Sequence, residues 1–121
     1  TDRLIKKTTV SDNIQTINIR GIGYELEPLI IVANKEMNTR ISLDLRAFDT
    51  VDEQFEIINS DTKKNVGSID VAKGLITMDV KFDKTGKFAI VNSSNVLTVI
   101  QVVDDINAID LEKVREQYFS Q

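Results

Sequence analysis

The chain of 121 residues has no cysteine, no histidine and no tryptophan, and a single proline, Pro28. Without cysteine, disulfides, thiolate metal sites and thiol nucleophiles are excluded. Without histidine, the side chain that titrates near neutral pH and most often ligates metals is missing as well. A serine nucleophile needs an activating base, usually histidine, and none is present. Five Phe and two Tyr are a thin supply for sugar stacking beside paired carboxylates, so a glycosidase is disfavoured and no enzymatic activity is expected. No apolar run approaches the ~20 residues that span a bilayer, and no signal-peptide core is visible. Acidic side chains outnumber basic ones, 19 to 15, for a net charge of −4. That balance argues against nucleic acid and against an anionic membrane surface as partners.

What is present is an ordinary globular balance, 41% hydrophobic and 28% charged, long enough for one domain with its own core. The chain begins at Thr1 rather than Met, so a processed product or a piece of a longer protein is expected. Residues 1–12 are polar and aperiodic and read as an N-terminal linker or loosely held edge segment. Residues 13–105 carry the period-two alternation of half-buried strands. Ile17 and Ile19 share one face against Thr16 and Asn18. Ile41, Leu43 and Leu45 oppose Arg40, Ser42, Asp44 and Arg46, a register that a one-residue slip would ruin. Ile76, Met78, Val80 and Phe82 repeat the pattern, with further strands at 55–58, 87–91 and 97–103. Gly21–Tyr24 reads as a turn or bulge, Asn59–Asn65 as a polar turn and Asp83–Gly86 as a hairpin turn. Short strands separated by turns imply an all-β sandwich or barrel. Residues 106–121 hold the helical signal: Asp110 can cap a helix in which Leu111, Val114 and Tyr118 line one face. That face, with Phe119, either packs on the sandwich or engages another subunit.

Three segments carry a resemblance to a known family. Gly21-Ile-Gly-Tyr-Glu-Leu-Glu-Pro28 with Ile30-Ile-Val32 resembles the opening of bacterial cupredoxin-like domains, with one extra residue before the proline. Phe82-Asp-Lys-Thr-Gly-Lys-Phe88 is similar to the family's approach to its ligand loop, and Ile100-Gln-Val-Val-Asp-Asp105 to its closing strand. Such domains include ones attached to membrane metal-transport and sulfite-exporter-like proteins. The resemblance implies a cupredoxin-like Greek-key β-sandwich of seven to eight strands with a short C-terminal helix. It also implies an extracytoplasmic or membrane-attached location.

The ligand positions break the pattern. The family's first ligand precedes the strand at Phe55, where Asp52, Glu53 and Gln54 stand. Its cysteine falls near Val91, and its histidines or methionines near Ser93 and Asn95. Valine coordinates nothing, and hydroxyl or amide oxygens do not make the soft site that copper selects. A thioether Cu(I) site would need Met37 and Met78 to converge, whereas Met78 fits the inward face of its strand and reads as core filling.

The remaining candidates are modest. Acidic residues gather at Asp44, Asp49, Asp52, Glu53 and Glu56. Oxygen ligands on a loop suit a hard cation, so Asp52 and Glu53 are the ligands of an alternative metal-handling reading. No EF-hand spacing is present, and the plainer reading is a solvated loop at 49–53. Tyr24, beside two glycines, reads as a core cap or as a surface anchor. Asn92, Ser93, Ser94 and Asn95 form a polar turn or a former metal loop reused for partner contact.

The expectation is a non-enzymatic interaction or accessory module that has lost its copper site and holds no cofactor. Its partner is an unidentified protein, and homo-oligomerisation stays open. The alternatives are a metal-handling domain using oxygen ligands and an immunoglobulin-like adhesion or assembly domain. Pairing of Ile14–Ile19 in parallel with another strand would favour the cupredoxin arrangement. Leu26–Val32 is the apolar stretch expected to be vulnerable to edge-to-edge pairing.

Overall fold

The computed structural model describes residues 4–49, 54–93 and 95–119, which form two packed β-sheets and one short helix. Sheet 1 contains, in spatial order, β1 (Ile5–Lys7), β5 (Ile30–Asn34), β11 (Asn95–Val103), β10 (Gly86–Asn92), β7 (Gln54–Asn59) and β8 (Asn65–Asp70). Sheet 2 contains β2 (Thr9–Ser11), β3 (Ile14–Gly23), β6 (Asn38–Phe48) and β9 (Leu75–Lys81), with β4 (Glu25–Glu27) also paired to β3. Eleven strands are thus seen among the described residues rather than seven or eight. Three of them, β1, β2 and β4, are only three residues long. Another, β8, carries a bulge that breaks its alternation and left no clear period to read.

Parallel and antiparallel pairings are mixed. β3 runs parallel to β6, with Ile17 opposite Ile41, and β5 is parallel to both β1 and β11. The remaining pairs are antiparallel. Ile14–Ile19 therefore pairs in parallel with β6, while Ile14–Thr16 also pairs antiparallel with β2.

The alternation in β3 and β6 sends Ile17, Ile19, Ile41, Leu43 and Leu45 inward against Ile31, Ala33, Phe55, Ile57, Phe88, Ile90, Ile100 and Val102. Phe48 and Phe55 meet edge to face at 5.3 Å between ring centroids, a favoured aromatic geometry. Met78 lies over Gly67 so closely that a Cβ there would sit 2.8 Å from its methyl carbon. The methionine is core filling.

The chain enters sheet 1 through β1 and crosses at Thr8 into sheet 2. Gln15, fully buried, holds this corner. Its Nε2 donates to the Asn34 carbonyl and to Thr39 Oγ1, both at 2.8 Å, and its Oε1 accepts from Thr8 Oγ1 at 2.7 Å and Asn34 N at 2.9 Å. Each buried group has a partner, which removes the penalty of burying an amide. Ile5 and Thr8 are buried, so the segment read as linker or edge supplies an edge strand to each sheet.

Leu26–Val32 is split between two strands: Leu26 and Glu27 belong to β4, which among the described residues pairs with β3 alone, and Ile30–Val32 belong to β5, which is not an edge. Leu26 is in the core, and all five residues of β5 are buried between β1 and β11. A strand covered on both faces reads as a continuous apolar run, which is why this stretch looked exposed to pairing.

The C-terminal helix α1 (Leu111–Phe119) starts where Asp110 Oδ1 accepts from Glu112 N at 2.9 Å. It lies on the outer face of sheet 1, with Val114, Leu111 and Tyr118 against Ile5, Ile30, Leu29 and Val99. Tyr118 donates to Gln101 Oε1 at 2.9 Å and carries the Lys87 ammonium 5.1 Å above its ring. Docking on the sandwich is the resolution of the two readings for this face, leaving Phe119 half exposed.

Candidate functional site

The registers place eight of the ten strand-to-strand connections at one of two ends. The upper end carries the β3–β4 turn, the β6–β7 and β8–β9 connections and the β10–β11 turn, because Gly23 pairs with Phe48, Gln54 with Asp70, and Asn92 with Asn95. The lower end carries the β2–β3, β5–β6, β7–β8 and β9–β10 connections. Asp49 and Gln54, which border the 50–53 segment, and Asn92 and Asn95, which border the β10–β11 turn, therefore lie at one end.

Of the expected contact residues, Asn92 is half-buried, while Ser93 and Asn95 are exposed. Ser93 has φ +53°, and Gly23 has φ +62° ahead of Tyr24. Ser94, Asp52 and Glu53 lie outside the described residues. Tyr24 is 72% exposed, so it does not cap the core. The glycine turn aims it outward, and Leu26 two residues later fills the interior instead. Asp49 N donates to the Gly23 carbonyl at 2.7 Å, tying the start of the 49–53 segment to the turn that presents Tyr24.

Among the described residues the acidic group does not converge. Asp44 projects from the outer face of sheet 2 and Glu56 from the outer face of sheet 1, with the core between them. Asp44 is also occupied: Arg46 donates from Nε at 3.0 Å and from Nη2 at 2.9 Å. Those side-chain bonds, helped by the Arg46 backbone N–H, hold the Asp44 carboxyl down at about 2. Among the described residues no three Asp, Glu, His or Cys side chains come together as a metal site. Met37 and Met78 do not meet either. Met37 sits at the lower end beside Asn34, and Met78 lies in the sandwich over Gly67. Val91, in the place of the family's cysteine, pairs with Glu56 and Val96. Ser60 and Lys63 have Ser-x-x-Lys spacing but fall on the β7–β8 turn, where Lys63 is exposed, not on the helix that would bring hydroxyl and amine together.

Sequence reasoning missed a collar of apolar side chains around the upper end. Ile22 (42% exposed) stands beside Tyr24, and Val96 (59%) follows the β10–β11 turn. Leu4, Leu75 and Phe119 lie in the same half of the sandwich. Of the exposed large hydrophobic side chains among the described residues, Val10 alone is at the lower end. Ile22 was legible in principle, because it sits in the outward phase of Thr16, Asn18 and Arg20. Val96 was not, since a bulge between Ile90 and Val91 shifts the register of its hairpin.

No protein-family model matches the sequence, and no curated protein sequence matches it either. Solved structures do match. One is a copper-binding protein in its apo form, determined by NMR, with a TM-score of 0.61 and 18% identity over 81% of this chain and 96% of that one. Another is the metal-binding domain of the Cu(I)-exporting P-type ATPase CopA of Streptococcus pneumoniae D39, crystallised with Cu(I). It gives a TM-score of 0.57 and 16% identity over 82% of this chain and 95% of that one. At these identities the likeness is one of fold, and the chain is an all-β sandwich of the kind that copper-binding domains use.

Proposed function

We propose that this chain is a non-enzymatic interaction module on a copper-domain scaffold, without the copper site, that engages a protein partner through its upper end. The observation that carries the reading is the segregation of exposed apolar side chains. Ile22, Tyr24 and Val96 surround the turns at one end, while the lower end carries Asp12, Glu36, Lys63 and Lys84. Exposed aromatic and branched side chains on a rigid sandwich suit a protein contact, with Tyr24 as the anchor. The loss of thiolate and imidazole removes the soft donors that copper chemistry needs. By the family resemblance, the module works outside the cytoplasm or attached to a membrane protein.

The likeness to copper-binding domains supports a second reading, in which the chain handles metal through oxygen ligands such as Asp52 and Glu53. Native mass spectrometry of chelator-stripped protein with Cu(I), Cu(II), Zn²⁺ and Ca²⁺ separates the two. The interaction reading expects no stoichiometric adduct, and a one-to-one adduct abolished by Asp52→Asn or Glu53→Gln overturns it. A photo-crosslinking residue at position 24 or 96 is expected to capture a partner in the native host, and one at position 63 is not. Equal capture from both ends would refute the assignment of the upper end.

A further inference from the structure

The two lateral sides of the sandwich are closed differently. On one side the chain crosses from β1 to β2 around the buried Gln15. On the other, β8 and β9 end their sheets, and among the described residues β9 pairs with β6 alone. The core is incompletely sealed there. Val66, Ile76 and Met78 pack against it yet stay half-buried. β9 is seven residues long, and its pairing with β6 shows no bulge. It presents a row of backbone donors and acceptors that could template another strand.

We propose that β9 is a self-pairing edge, joining two copies of this chain by antiparallel strand addition centred on Met78. The register follows from the sequence of the strand. Opposed residues in an antiparallel pair share a face, so a two-fold contact must centre on a residue. Centring on Asp79 places that carboxylate against its own copy, and like charges directly opposite are destabilising. Centring on Thr77 leaves Val80 and Lys81 beyond the overlap. Centring on Met78 engages all seven residues. Ile76 then faces Val80, and Met78 faces itself over the unsealed core. On the outer face Thr77 stands opposite Asp79, with its hydroxyl able to donate to the carboxylate. Leu75 stands opposite Lys81, whose aliphatic stem can cover it. No like charges oppose each other in this register.

This surface runs along β9 and shares only Leu75 with the upper half of the sandwich, so the inference does not depend on the contact assigned to Tyr24 and Val96. The test is sedimentation equilibrium of the full chain over a wide concentration range. A reversible dimer is expected, and a monomer throughout overturns the proposal. Thr77 is exposed, so its variants keep the fold. Thr77→Asp sets two pairs of carboxylates face to face and is expected to weaken the dimer roughly tenfold. Thr77→Lys is expected to strengthen it, and Tyr24→Ala to leave it unchanged. A dimer indifferent to the charge at position 77, or dissolved by Tyr24→Ala, assigns the contact elsewhere and refutes β9 pairing. Because the chain has no native cysteine, Met78→Cys reports the register directly. Mild oxidation is expected to give a disulfide dimer from Met78→Cys and none from Ser68→Cys on β8. The reverse result overturns the proposal.

Discussion

The outer faces of the two sheets are built on the same pleat and have opposite fates. Across sheet 1 the registers align Ile58, Ala89, Val99, Ile30 and Ile5 in one outward row over five strands. Helix α1 covers the part nearest β1, β5 and β11. Across sheet 2 the matching outward row is Asn18, Ser42 and Thr77, flanked by Arg40 bonded to Asp79 and by Arg46 bonded to Asp44. Nothing among the described residues covers it. The lesson is that a strand's sequence reports how many of its faces are buried, not merely that it is a strand. β6 alternates because one face meets water, whereas β5 is apolar from Ile30 to Ala33 because its outer face lies under a helix.

Ile30 is the residue of the covered face whose loss is expected to cost most. Removing its side chain opens a cavity between sheet 1 and α1, so Ile30→Ala is expected to cost about 2–4 kcal/mol in urea denaturation. A cost under about 1 kcal/mol would mean that α1 contributes little to closing that face. Next is the corner where the chain passes between the sheets. Gln15→Leu keeps the approximate volume but strands the Thr8 hydroxyl and the Asn34 backbone groups in the interior. A loss of about 2 kcal/mol is expected from the same measurement. The outer row of sheet 2 supplies the contrast, since Ser42→Ala should change stability by no more than about 0.5 kcal/mol.

The smallest effect concerns acid. Arg46 depresses the Asp44 carboxyl, so the pair's contribution is complete above the ordinary value of 3.8 and is lost as pH falls through about 2. Carboxyl-carbon NMR is expected to give a midpoint near 2 for Asp44 and a higher one in Arg46→Ala. An unchanged midpoint in that variant would assign the depression to another cause.

Much of the fold was legible because alternation is a local consequence of burying one face. Ile17, Ile19, Ile41, Leu43 and Leu45 could be placed inward from their spacing, and Asp110 could be read as a helix cap. Gln15 falls in the same inward phase as Ile17 and Ile19, yet its identity argued for solvent. Only the convergence of Thr8, Asn34 and Thr39 makes that position habitable for an amide. The candidate site was less legible. Tyr24 and Asn92–Asn95 could be singled out as loop residues, but the turn geometry at Gly23 decides that Tyr24 points outward.

The sequence alone rules out thiolate and imidazole ligands, because no fold creates either from a chain that has neither Cys nor His, whereas the separation of Met37 from Met78 is a matter of the fold. It also shows which face of β3, β6 and β9 turns inward, since each one-sided strand carries its own apolar phase, whereas the bulges in the β7–β8 and β10–β11 pairings leave no such signal. Tertiary structure alone decided which strands became edges. Edge status depends on what lies beside a strand, not on its composition. Apolar Ile30–Val32 was drawn into the middle of sheet 1, and β9 was left at the side of sheet 2 with one neighbour among the described residues.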